Sequence, residues 1–159
     1  MAASQLSQKL EIDVQPCSTV ADATQNADII VTTTPASTPI LNQSDIHPGQ
    51  HITAMGSDAE HKNEISPEII AGGASYFCDR QSQSGRLGEL HHAIEKGLVT
   101  ASTRFPELGQ LIAKQSPARQ NDEEITLCDL TGTGIQDTAI ATLAYQRCLQ
   151  HQAGASFKT

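Results

Sequence analysis

The sequence predicts an α/β fold organised on a parallel sheet. Apolar, β-branched runs recur along the chain, segments of helical composition separate them, and each run is nearly continuous in apolar residues. Strands of that kind are buried on both faces, so helices are expected on both sides of the sheet.

In chain order, residues 2–10 have helical composition and residues 11–14 (EIDV) read as a short strand ahead of Pro16. Residues 19–25 (TVADATQ) read as a short helix, and residues 27–33 (ADIIVTT) as an apolar, β-branched strand. The Pro48-Gly49 turn introduces a strand at residues 51–55 (HITAM). A short helix near residues 67–71 leads to a strand at residues 74–79 (ASYFCD). Helical spacing marks residues 88–95 (GELHHAIE) and 105–113, residues 124–130 (EITLCDL) form the last strand, and a long helix follows from about 134 to 149. The Gln/Ser-rich residues 81–84 and the polar residues 116–124 read as loops, the latter also as a candidate boundary, and the tail from residue 151 is expected to fray.

Composition narrows the partners. A chain of 159 residues supports one domain. With 3% aromatic residues and no Trp, its core must be built from Ile, Leu, Val and Ala. A net charge of −8 and a pI of about 5.1 argue against nucleic acid or an anionic membrane surface as partner, because no Lys/Arg cluster is available to release counterions. The opening residues are too polar for a signal peptide and no segment is long and apolar enough for a membrane span, so a cytoplasmic protein is expected. The four cysteines are spread singly; neither a C-x-x-C motif nor a disulfide scaffold is present, and Cys78 and Cys128 read as small core hydrophobes.

In a parallel α/β sheet ligands gather beyond the carboxyl ends of the strands, which directs attention to three segments. Thr32-Thr33-Thr34-Pro35 offers hydroxyls and backbone N–H groups, although Thr is also a good strand residue and Pro35 a natural stop. Met55-Gly56-Ser57-Asp58 combines a glycine that permits close approach with a carboxylate just beyond a buried strand. Asp58 would serve as a general acid/base if partial burial raised its pKa, or as a turn cap. The polar residues 60–64 that follow read as a solvated face, from which Lys62 could reach a phosphate or carboxylate. Thr131-Gly132-Thr133-Gly134 lies between a strand and a helix, where backbone N–H groups favour an anion. It fails the dinucleotide fingerprint because Asp137 stands where the third glycine belongs. No metal site is expected: adjacent His91 and His92 point about 100° apart around a helix, so that at most one could face a site.

Taken together, ADIIVTTTP at residues 27–35, PGQHITAMGSDAEHKNEI at 48–65, GELHHAIEKG at 88–97 and DLTGTGIQDTAIATLAY at 129–145 are similar, in order and spacing, to the ornithine cyclodeaminase/mu-crystallin family, and AMGSDAEHKNE is most like its ectoine-utilisation branch. The resemblance implies a Rossmann-type NAD(P)-binding domain over residues 1–130, with residues 131–159 forming a helix that returns toward a substrate and dimerisation domain. By position it implies Asp58 as the general acid/base. Thr32, Thr33, Gly56, Ser57 and Lys62 fall in cofactor-contacting segments, and Thr131 and Gly132 in the loop near the nicotinamide. Gln136-Asp137 replaces the family's usual Glu-Asp. The implied activity is conversion of ornithine to proline and ammonia with NAD, NADP being an alternative, in a homodimer that takes an amino-acid substrate. Imine reductase and alanine dehydrogenase activities also occur in the family. No G-x-G-x-x-G strand, ribose-binding acid or substrate-clamping Arg/Lys precedes Ala2. The first strand of the sheet and the N-terminal substrate domain are therefore expected to be missing, which makes a non-catalytic remnant or assembly module the alternative.

Overall fold

The computed structural model describes residues 2–155 and residue 157. Helix α1 (Ala2–Leu10) and helix α2 (Val20–Thr24) precede strand β1 (Ile29–Thr32); a 3₁₀ turn (Gln43–Asp45) leads to β2 (His51–Ala54). Then follow α3 (Pro67–Ala71), β3 (Ser75–Cys78), α4 (Gln81–Leu87), α5 (Glu89–Glu95), α6 (Leu108–Ile112), β4 (Thr126–Asp129) and α7 (Gly134–His151). The four strands form one sheet in the order β1-β2-β4-β3, every pair parallel.

Local chemistry sets the element ends. Thr19 accepts the Asp22 N–H through its hydroxyl at 3.1 Å and starts α2, while Pro67 sits in the first turn of α3, where its missing N–H costs nothing. The Gln136 side chain accepts the Thr133 N–H at 3.2 Å and starts α7.

Register decides which residues meet. Ile30, Ile52, Leu127 and Tyr76 form one row across the sheet, and Thr32, Ala54, Asp129 and Cys78 the next row on the same face. Onto this face pack Leu41, Ile65, Ile69 and Ile70, with Leu90 and Ala93 of α5, giving the core. Tyr76 adds an edge-to-face contact with Phe105, its ring centroid 4.8 Å away. The opposite face is covered unevenly. Leu108 and Leu111 of α6 share an apolar groove with Phe77 and Cys128, but Ile29 and Val31 on β1 are 65% and 56% exposed.

Three expectations need correction. Residues 11–14 form no strand, and the backbone turns at Glu11, which takes φ 56°. Residues 81–84 are the start of α4 rather than a loop, since Ser84 is buried and tolerates the helix interior there. Residues 116–124 do not mark a boundary between separate bodies: Arg119 donates to the Gln50 carbonyl (3.1 Å) and the Thr126 hydroxyl (3.2 Å), tying this stretch to β2 and β4. Residues 156, 158 and 159 of the expected frayed tail lie outside the described residues. All four cysteines are free, Cys78 and Cys128 being buried, and burial raises these two thiols to about 12 and about 11. Among the described residues no helix is long and apolar enough to cross a membrane.

Candidate functional site at the carboxyl ends of the strands

Parallel strands end with backbone groups that no neighbour in the sheet satisfies, and a buried acceptor must supply the bonds. Glu64, fully buried, does this for β1 and β2 together. Its Oε2 accepts the Thr32 hydroxyl and the Gly56 N–H, both at 2.7 Å, and its Oε1 accepts the Thr34 N–H at 2.5 Å. A Cβ at position 56 would collide with the Glu64 carboxyl and the Thr34 carbonyl, so only glycine lets the two strand ends share this carboxylate.

Glu89, the first residue of α5, secures the segment that carries Glu64. Its Oε1 accepts the Ser57 hydroxyl and the Glu64 N–H (2.9 Å); its Oε2 accepts the Asn63 amide (3.0 Å) and the Ile65 N–H (3.1 Å). Burial pushes the Glu89 pKa up, against the pull of these donors. Asp129 ends β4 with its Oδ2 accepting the Tyr76 hydroxyl at 2.6 Å and the Leu90 N–H at 3.2 Å, an otherwise orphaned donor in the first turn of α5. Burial, with the Glu89 charge adding to it, raises Asp129 to about 7. Gly88 is needed for this approach, because a Cβ there would lie 2.7 Å from Asp129 Oδ2 and 2.7 Å from the Thr131 methyl.

Asp58 is exposed and forms an ion pair with Lys62 at 2.5 Å. The Lys62 hydrogen bond holds its pKa below the usual carboxylate range, so the burial-raised pKa expected of a general acid/base is not met in this chain. Thr33 and Met55 are exposed, whereas Thr32, Gly56 and Ser57 are buried with polar atoms committed to Glu64 and Glu89. Thr131 is buried, its N–H and hydroxyl both donating to Asp79 at 3.0 Å. Gly132 is exposed at φ 78°, with its carbonyl accepting from Gln83 at 2.5 Å. Thus Thr32, Gly56 and Ser57 come together on one buried network, and Thr131 and Gly132 are fastened separately to β3 and α4. Among the described residues no hydrogen bond joins Asp58 to Thr32, Thr33 or Thr131.

Sequence reading missed Glu64, Glu89 and Asp129. Residues 60–64 were expected to be a solvated face, yet Asn63 and Glu64 are 4% and 0% exposed. The available signal was the unmet donors of two adjoining strand ends, which require a carboxylate nearby in space. A second correction concerns His91 and His92, whose rings both turn toward Glu95.

These features place the chain among parallel α/β proteins, and comparison with known proteins narrows the class. The chain belongs to the ornithine cyclodeaminase/mu-crystallin family, which it matches over residues 1–152. It is 56% identical over 137 residues to an uncharacterised cyclodeaminase of Sinorhizobium fredii, covering 86% of this chain and 41% of that protein. A solved archaeal alanine dehydrogenase dimer with bound NAD superposes with a TM-score of 0.85 at 32% identity, over 97% of this chain and 47% of that one. The Thermococcus litoralis Δ1-pyrroline-2-carboxylate reductase, solved with NADH and L-proline, gives 0.91 at 26% identity, over 98% and 48%. The chain thus spans about half the length of the proteins it matches. These likenesses support the Rossmann-type fold expected from the sequence.

Proposed function

We propose that the chain forms one wall of an NAD-binding cleft in an enzyme acting on the amino or imino group of a small amino acid. The observation that carries this reading is the carboxylate scaffold of Glu64 and Glu89, which fixes the loops after β1 and β2 with Thr33 and Met55 exposed beyond them. Its support is the NAD and NADH named for the two solved relatives.

The residues fit a dinucleotide. Gly132 has open space where a Cβ would stand, and the loops present small or hydroxyl side chains that let a ligand approach. In this reading Thr32, Gly56, Ser57 and Thr131 set the loop shape through their buried bonds, while Thr33, Lys62 and Gly132 contact the cofactor. NAD, with NADP as the alternative, would supply hydride transfer. Asp58 moves protons to and from the substrate nitrogen once Lys62 turns to the cofactor or substrate and frees it. Ornithine cyclisation to proline with loss of ammonia is the reaction we favour, with imine reduction and alanine oxidation as alternatives. The cytoplasm is the favoured compartment and a homodimer the favoured assembly.

A second reading, a non-catalytic assembly module, is favoured by one observation. Helix α7 runs 18 residues with none of them buried, leaving Ile140, Tyr145 and Leu149 exposed. The test uses a full-length homologue carrying the residue 51–65 segment. Asp58→Asn is expected to lower turnover roughly 10²–10⁴-fold and leave NADH binding nearly intact; normal turnover would remove the catalytic role.

A further inference from the structure

We infer that His91, His92 and Glu95 form a binding site for a borderline divalent transition metal ion such as Zn²⁺, Co²⁺ or Ni²⁺. Their potential ligand atoms all lie within 4.8 Å of one another on the last turns of α5. Helix geometry explains the convergence: with His91 at 0°, His92 stands at about 100° and Glu95 at about 40°, so the carboxylate rises between the two imidazoles. His91 Nε2 is 3.4 Å from Glu95 Oε1 and His92 Nδ1 is 3.9 Å from Glu95 Oε2. Tetrahedral ligands at about 2.05 Å from an ion stand about 3.3 Å apart, a separation that rotation of the rings and of the exposed Glu95 can reach.

Beyond proximity, one ring is oriented for coordination. His92 Nε2 lies 2.6 Å from the Lys62 carbonyl, an acceptor only, so this nitrogen carries the proton. The other ring nitrogen, Nδ1, is then the one left to face the Glu95 carboxylate, 3.9 Å away. A backbone carbonyl fixing the far nitrogen of a histidine is the usual outer support of a metal-ligating imidazole. The nearby cations are committed elsewhere: Lys62 pairs with Asp58 at 2.5 Å and Lys96 with Glu68 at 3.4 Å. The closing turn of α5 also presents the negative end of its dipole. Two imidazoles and one carboxylate form the nitrogen/oxygen donor set that borderline ions prefer, and water would complete the shell.

The test titrates the 159-residue chain with Co²⁺, followed by its visible absorption, and with Zn²⁺ by calorimetry. One ion per chain is expected. His91→Gln, which removes no hydrogen bond holding the fold, should weaken binding at least tenfold, as should Glu95→Gln, both with unchanged circular dichroism. A Cys17→Ser/Cys148→Ser chain, lacking the two exposed thiols, should bind as the parent does. Absence of saturable binding, affinity unaffected by His91→Gln, or loss of the site in the cysteine variant would each overturn the inference. A pH-dependent imidazolium–Glu95 ion pair without metal uptake is the outcome expected if only a proton fills the gap, and it would overturn the inference as well.

Discussion

Three buried carboxylates stand behind the strand ends and do different things. Glu64 is a strut: its two oxygens serve three donors on two strands, and an amide in its place would turn an N–H toward one of them. Glu64→Gln should therefore destabilise the fold by about 1–3 kcal/mol, read from urea unfolding, whereas Asp58→Asn at the exposed ion pair should change it by no more than about 0.5 kcal/mol. Equal effects would contradict the strut. Asp129 acts through pH. Its folded pKa of about 7 lies above the value of 3.8 expected without the fold, so the native state binds the extra proton. Its contribution is fully present below about 4 and is lost as pH rises toward about 7. The difference in stability between the parent and Asp129→Asn should accordingly move against the parent between pH 4 and 7 and level off above. Glu68 and Glu124, whose pKa values are held low by hydrogen bonds from Ser66 and Ser75, act in the opposite direction in both proteins and cancel in that difference.

At the scale of elements, the strands were the legible part. All four lie within the runs read from the sequence: β3 and β4 are buried along nearly their whole length, while β1 and β2 were legible from their β-branched residues although only one face of each is turned to the core. The short strand expected at residues 11–14 does not form: the backbone turns at Glu11, and the Val14 N–H donates to the Ser7 hydroxyl at 3.0 Å rather than to a strand. Residues 81–84 look like a loop by composition and become helical by packing against α5. The site was half legible: Gly56 and Ser57 stood out, but Glu64 and Glu89 were hidden because a buried carboxylate cannot be told from a solvated one until its donors are in place. Helix α7 and the outer face of β1 make their own prediction. With Ile29, Val31, Ile140, Tyr145 and Leu149 exposed, the chain should self-associate in sedimentation velocity. Tyr145→Lys with Leu149→Lys, or Ile29→Lys, should shift it toward monomer, and a monomer at all concentrations for the parent would contradict this.

For the whole molecule, the parallel sheet brings the loops after β1, β2 and β4 to one edge, and the carboxylates beneath hold two of these in a fixed relation. Family membership covers nearly the whole chain, and the chain accounts for about half of its relatives' length. The residues described supply one wall of the proposed cleft, so the affinity of these 159 residues by themselves for a dinucleotide should be weak. Weak binding is still mapped residue by residue in solution. The most direct measurement is a ¹⁵N–¹H amide spectrum of the chain titrated with NADH. Shifts should concentrate at Thr33, Thr34, residues 55–58, Thr131 and Gly132, with the amides of α6 and the Pro48-Gly49 turn unmoved. Shifts confined to the opposite end of the sheet, or none at saturating NADH, would contradict the assignment of this edge as a cofactor site.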